Sequence, residues 1–271
     1  MIKADSLRAD QCEAILHDDC PSFSGIIAGE CKGDVWVDAI DTPRIAIVYS
    51  YAAGGFAFLG CPLWEDQNMK LREYIYRDIF DFLKQKGIGY FEYSIESTGL
   101  KPYIQKMFQD KDMQSETEYS YRITKSIQAN NTLPAGFKMQ RIDSDLWSHI
   151  IHGEYANESF VTERLLESWD SFNTFEKKSV GYCITYFDAI AAVSIGTARY
   201  ENIIPVDIET AEAFKNKGLG YSLTIAFVNE CMQRGLIAQW DCVESNPISR
   251  RLAEKAGFRL HRENEVFWFG I

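Results

Sequence analysis

The residues able to do chemistry concentrate between Val206 and Gly220. The run Val206-Asp207-Ile208-Glu209-Thr210 is followed by Phe214-Lys215-Asn216-Lys217-Gly218-Leu219-Gly220 and then by a long apolar-periodic stretch. A strand that feeds a glycine-containing loop opening a helix turns free backbone N–H groups toward an anion. Gly218 and Gly220 allow that anion to approach the backbone, and Lys215 and Lys217 add positive charge, so a pyrophosphate fits. The same kind of turn also serves simply to cap a helix. The loop is not a dinucleotide fingerprint, because GxGxxG fails. Nor is it a triphosphate loop, since GxxxxGK[ST] is absent.

Two carboxylates sit on the preceding strand. Asp207 and Glu209 alternate out of one face, while Val206, Ile208 and Thr210 point the other way. A partly desolvated carboxylate at a strand edge has its pKa raised and can take a proton from an ammonium. Glu209 is the expected base and Asp207 the second choice. Both are equally suited to holding solvent or a substrate ammonium without proton transfer. Asp241 is a third carboxylate on the neighbouring strand. Asn246 followed by Pro247 reads as a helix cap with proline at the first helical position. Asn246 and Ser249 are the polar groups there that can orient a ligand.

The elements that position these residues follow from periodicity. In the second half, strands are expected over 137–141, 180–187, 190–199, 203–209, 238–243 and 266–269. Helices are expected over 145–155, 165–173, 219–234 and from 247 to Gly257. In the first half, a short helix over 7–16 precedes strands over 35–40, 45–51 and 55–59. A helix carrying Leu71, Tyr74, Ile75, Ile79, Phe82 and Leu83 ends at Gly87, followed by a strand over 90–95, a helix over 102–108 and a strand over 118–124. The polar segment 126–134 reads as a linker, which divides the chain into domains 1–130 and 131–271. The halves correspond at an offset of 148 residues: Gly87-Ile88 faces Gly235-Leu236, and Ile95-Glu96-Ser97-Thr98 faces Val243-Glu244-Ser245-Asn246. Two unrelated amphipathic αβα units can also match by chance, so the alternatives are coincidence and a duplicated domain in which one copy has lost its chemistry.

Order and spacing over 136–271 resemble the GNAT superfamily of N-acetyltransferases. The resemblance rests on the Lys-Gly-Leu-Gly loop, Trp240-Asp241-Cys242, Ser245-Asn246, Ser249, Leu252-Ala253-Glu254-Lys255 and Gly257-Phe258. Together with Asp207-Ile208 and Thr210, these residues look like the group containing zwittermicin-resistance acetyltransferases. The resemblance implies an α+β fold, a mixed sheet flanked by helices, with a degenerate GNAT-like N-terminal half before it. It implies acetyl-CoA as co-substrate, lying where the strands 203–210 and 238–243 splay apart. Its pantetheine would pair with backbone near Ile208 and Thr210, and its pyrophosphate would sit on the amides of Lys215, Asn216, Lys217, Gly218, Leu219 and Gly220, with Asn246 nearby. The reaction implied is acetyl transfer to a primary amine of a small molecule, with Glu209, Asp207 and Ser249 as the catalytic candidates. Many members carry a tyrosine four residues before the Gly-Phe pair, and this chain has Ala253 there. The alternative is therefore a catalytically weak CoA-binding or amine-sensing protein. The N-terminal half has Lys70 in the place of Gly218 and no glycine over 62–69, so it is not expected to cradle a pyrophosphate. Its aromatic residues Trp64, Tyr74 and Tyr76 lie at helical spacing, which suits core or interface better than a pocket.

Composition narrows the partners. The chain has 271 residues, 46% hydrophobic and 25% charged, which is ordinary for a globular protein. Its length allows one large domain or two of about 135 residues. Apolar runs such as 189–195 fall far short of the ~20 residues a membrane span needs, and the polar start, 1–10, carries no apolar signal core. Net charge is −11, shared by both halves, so neither offers a basic face for nucleic acid. An acidic surface favours cationic partners such as amines by steering. The seven cysteines are odd in number, and none form a CxxC pair. That is the usage of free thiols in a reducing compartment, and a cytoplasmic protein is expected. Cys12, His17, Cys20 and Cys31 match no usual zinc spacing, so no metal is expected.

Overall fold

The computed structural model describes residues 1–62, 64–129 and 132–271, with Ala9 described by its backbone alone. The chain forms two compact units, one of residues 1–29, 33–118 and 263–271, the other of residues 30–32 and 119–262. The compact units therefore divide the chain elsewhere than at the 130/131 boundary expected from composition. That boundary, Asn130–Asn131, lies outside the described residues. Besides the short segment 30–32, the chain passes between units within two strands, β6 (Gln114–Ile123) and β12 (Arg259–Gly270).

In the first unit, β1 (Ile2–Ala4), β2 (Gly33–Val37), β3 (Ile45–Ser50) and β4 (Gly55–Gly60) form an antiparallel meander. β5 (Tyr90–Ile95) then joins parallel to β4, and the end of β12 pairs antiparallel to β5. α1 (Pro21–Ile27) packs on β2 and β3. α2 (Glu65–Tyr74) continues through a π turn at Ile75–Ile79 into α3 (Phe80–Gln85), and α4 (Lys101–Met107) follows β5. Leu71, Ile75, Ile79, Phe80 and Leu83 are buried against the aromatic core of Phe56, Phe58, Phe91, Tyr93, Phe108, Phe267 and Phe269. The helix expected over 7–16 is instead two single turns, Ala9–Gln11 and Glu13–Ile15. The true helix begins at Pro21, and its pattern is hidden because the buried positions include Ser24 and Gly25 while Phe23 is partly exposed, so polarity does not mark the period.

The second unit repeats the order. β7 (Phe137–Arg141), β8 (Gly181–Tyr186), β9 (Ala189–Gly196) and β10 (Ile203–Thr210) form an antiparallel meander. β11 (Ile237–Val243) joins parallel to β10, and β6 neighbours β11. α5 (Ser144–Ile151), α6 (Ser159–Ser168) and α7 (Phe172–Lys178) cover one sheet face through Leu146, Ile150, Val161, Leu165 and Phe175 on Cys183, Val193 and Ile195. α8 (Leu219–Gln233) packs on the other face, with α9 (Pro247–Ala256) against it. A single helix over 165–173 was expected. The chain breaks there because Trp169 turns extended and Ser171 caps α7 by accepting from Thr174 N–H at 3.2 Å.

The two units share a strand order, and β2/β8 and β4/β10 begin 148 residues apart. They differ at one seam. In the first unit β4 stays zipped to β5: the register runs from Phe56↔Tyr93 to Phe58↔Ile95, Glu96 N–H donates to Phe58 O at 2.9 Å, and Gly60 N–H donates to Ser97 Oγ at 2.8 Å. His17 Nε2 lies 2.9 Å from the same Ser97 oxygen. In the second unit the β10–β11 register ends at Pro205↔Gln239, while β10 runs on to Thr210 in register with β9. Among the described residues, the second of these seams opens. Among the described residues no helix is long and apolar enough to cross a membrane, and no His, Cys, Asp and Glu residues group so as to hold a metal ion.

Candidate functional site

The open seam leads straight into the glycine loop. Phe214 anchors the loop's start on Phe137 and Tyr186, with ring centroids 5.8 and 5.7 Å away. Lys215 is extended, Asn216 has φ 63°, and Gly218 has φ 76° as the N-cap of α8. Left-handed residues spaced in this way curl successive N–H groups into a concave nest suited to an anion. Asparagine tolerates that conformation and glycine adopts it freely. The first helical bond of α8 runs from Ser222 N–H to Gly218 O at 3.1 Å, so the N–H groups of Leu219, Gly220 and Tyr221 precede it. Leu219 is buried and fixes the turn. Gly220 lies against the end of β10: a Cβ there would meet Leu252 Cδ2 at 3.3 Å, Ile208 Cγ2 at 3.9 Å and Thr210 Oγ1 at 3.9 Å. Lys215 Nζ pairs with Glu212 at 2.5 Å, both exposed.

On the opposite face of β10, Asp207 and Glu209 stand beside Ile195 and Val193 of β9. The structure brings them together on a residue that sequence reasoning missed. Arg164 of α6 places Nε 3.2 Å from Asp207 Oδ2, and its Nη2 pairs with Glu209 Oε2. Its Nη1 donates to Phe160 O at 3.3 Å, and the guanidinium lies 4.8 Å from the Phe160 ring centre. Both carboxylates remain about half exposed, 47% and 46%, against 25% for Arg164. Burial pushes the Asp207 carboxyl above its ordinary pKa, while Arg164 and the Ile208 N–H pull it down. Nothing local in the sequence signals Arg164. It lies 43 residues from Asp207, and only the packing of α6 on β9 joins them.

The other candidates fall elsewhere on this unit. Asp241 accepts from Gln239 Nε2 at 3.0 and 3.2 Å, and Gln239 Oε1 accepts from Arg122 Nε at 2.8 Å. Asn246 caps α9, its Oδ1 accepting from Ser249 N–H at 3.1 Å. The Ser249 oxygen accepts from Trp240 Nε1 at 2.8 Å and keeps its own O–H to donate. Ala253 is fully buried in the cluster of Tyr121, Trp240 and Phe258. Replacing Ala253 with Tyr should therefore overpack that cluster and lower stability by about 1–3 kcal/mol. A urea midpoint unchanged from the parent protein would show that the position has room for a ring.

A family model for GNAT acetyltransferases matches residues 14–267, and the chain belongs to that family. It is an acyl-CoA-dependent N-acyltransferase of the GNAT type. It is 27% identical over 208 residues to the uncharacterized N-acetyltransferase YdfB of Bacillus subtilis, covering 72% of this chain and 74% of that protein. Among solved structures, a GCN5-related N-acetyltransferase-like protein from Streptococcus suis superposes with TM-score 0.60 at 20% identity, covering 88% of each chain. A tandem GNAT protein from the clavulanic acid biosynthesis pathway superposes with TM-score 0.53 at 11% identity, covering 88% of this chain and 82% of that one. At these identities the structures speak for the fold.

Proposed function

We propose that the second unit transfers an acetyl group from acetyl-CoA to a primary amine of a small molecule. The observation that carries this reading is the seam that opens after Pro205↔Gln239 beside the left-handed nest of Asn216 and Gly218. The amides and lysines of Lys215–Gly220 would hold the pyrophosphate. The backbone edge of Ile208 and Thr210 would take the pantetheine amides as an added strand does, and the missing side chain of Gly220 keeps that corner clear. Acetyl-CoA supplies a thioester carbonyl open to attack by an amine. Of the two carboxylates Glu209 sits further along β10 from the closed end of the seam, between Ile208 and Thr210, and takes the ammonium proton at its carboxylate. Asp207 orients the same ammonium. As the C–S bond breaks, Ser249, with Asn246 fixing its helix turn, would offer its Oγ proton to the departing CoA thiolate, the place where many relatives use tyrosine. The first unit is a degenerate copy whose seam is closed by the Gly60–Ser97 and His17–Ser97 bonds. The run from Trp240 to Phe258 supports placing the chain in the zwittermicin-resistance group.

Calorimetry tests the donor assignment. Acetyl-CoA should bind the intact protein, and Gly220→Val should weaken binding by about tenfold or more, some 1.4 kcal/mol, by filling the corner between β10 and the loop. Unchanged affinity would remove the loop from the reading. Acetyl transfer is then measured over a panel of amines. Binding without transfer to any of them would favour a second reading, a CoA-binding or amine-sensing protein, which the buried Ala253 at the tyrosine position supports.

A further inference from the structure

Arg164 is placed where a substrate cation would be expected. The guanidinium bridges both strand carboxylates from one edge, lies against the Phe160 ring and is itself three-quarters buried. Two carboxylates two residues apart on one strand face repel each other, and a nearby like charge disfavours the ionised form of either. The fork of an arginine can engage two acceptors at once with little loss of rotamer freedom, which the point charge of lysine cannot do. α6 is fixed to deliver it: Val161 and Leu165 are buried beneath the helix, and Ser168 Oγ donates to Arg164 O at 2.9 Å. We infer that Arg164 is a positioning residue that keeps Asp207 and Glu209 both ionised and leaves the trio with one net negative charge, so that the site selects a singly charged amine. This rests on the acyltransfer reading above for the amine, though not for the ionisation.

The groups around the pair make the inference specific. From β9 the register neighbours are Ile195 and Val193, which do not titrate. From α6 the group that pairs with both carboxylates is Arg164, and the same helix carries the acids Glu163 and Glu167. On β11 the strand's same face continues through Gln239 to Asp241, a negative charge held by Gln239. Removing Arg164 therefore leaves the carboxylates with no positive charge drawn from α6, β9 or β11 among the described residues.

The test uses the intact protein without acyl donor, observing side-chain carboxyl carbons by NMR across a pH titration, with Asp207→Asn and Glu209→Gln identifying the two signals. In Arg164→Gln, at least one carboxylate should titrate higher by about one pH unit or more. Arg164→Lys, which restores charge without the fork, should recover part of that displacement and also guards against a misfolded glutamine variant. In acetyl transfer, butylamine and 1,4-diaminobutane are compared. Arg164→Gln should raise kcat/KM for the diamine relative to the monoamine by about tenfold, the effect of one uncompensated charge. Titration curves that coincide in Arg164→Gln and the parent would overturn the ionisation role, whatever the transfer assay gives. A selectivity ratio unmoved by Arg164→Gln would overturn the charge selection. The acyltransfer reading fails differently, through a parent protein that binds acetyl-CoA and transfers to no amine of the panel while the NMR displacement still appears.

Discussion

Glu209→Gln is expected to leave acetyl-CoA affinity unchanged and to lower turnover by about 10²–10⁴, the usual contribution of a general base. Affinity should survive because the proposed donor contacts on β10 are backbone groups, and because Glu209 projects from the face opposite Ile208 and Thr210. The amide is nearly isosteric and still accepts from Arg164, so α6 should keep its place. What disappears is the capacity to take a proton. The residual rate should then recover as pH rises, because more of the acceptor arrives already deprotonated. In the parent enzyme the acidic limb of kcat/KM reports protonation of the carboxylate pair. Arg164 favours the ionised forms and draws that limb to lower pH, while the burial of Asp207 raises its carboxyl and opposes the displacement. Asp207→Asn, run in parallel, assigns the roles. A large loss of kcat in Asp207→Asn with Glu209→Gln nearly intact would exchange base and anchor. Unaltered turnover and pH profile in both, where chemistry limits the rate, would make the two carboxylates bystanders.

The legibility of this site in the sequence follows the range of the interactions involved. The nest was readable because its determinants are local: glycine at a left-handed cap, lysines within three residues of it, and a strand whose alternation is unbroken from Val206 to Thr210. The cap at Asn246 was readable for the same reason, a short side chain reaching the N–H three residues on. Arg164 was not readable. Its partners are on a strand brought to it by the packing of Val161 and Leu165, and an arginine in the middle of an amphipathic helix has no distinguishing neighbourhood in the sequence. α1 was missed because Ser24 and Gly25 on its buried side and Phe23 on its partly exposed side erased its period, and the π turn at Ile75–Ile79 because it changes the phase of the helix without interrupting its apolar residues. The closed seam of the first unit depends on Ser97 meeting Gly60 and His17 across 37 and 80 residues, a convergence that no spacing rule anticipates.

Trp169→Ala should be among the most damaging single substitutions in the second unit, costing about 3–5 kcal/mol, the usual range for truncating a fully buried large aromatic. Trp169 has no exposed surface and ends α6, and its Nε1 donates to Gly196 O at 2.9 Å, at the end of β9. It therefore ties the helix that carries Arg164 to the strand that pairs with Asp207 and Glu209. Truncation leaves a cavity among Ile142, Val161, Leu165, Phe175 and Ile195, whose side chains share its cluster. Gly196 O would still accept from Ser179 Oγ at 2.7 Å, so the loss is mainly packing and not an orphaned carbonyl. Trp169→Phe separates the two contributions. It keeps much of the ring and forfeits one hydrogen bond and some volume, so it should cost about 1–2 kcal/mol. Urea unfolding followed by circular dichroism measures both. Where the two units unfold in separate transitions, only the transition belonging to residues 119–262 should move. If Trp169→Ala unfolds at the parent midpoint, α6 is not anchored through this residue, and the placement of Arg164 must have another origin. If Trp169→Phe is as damaging as Trp169→Ala, the hydrogen bond and not the ring volume holds the helix to the sheet.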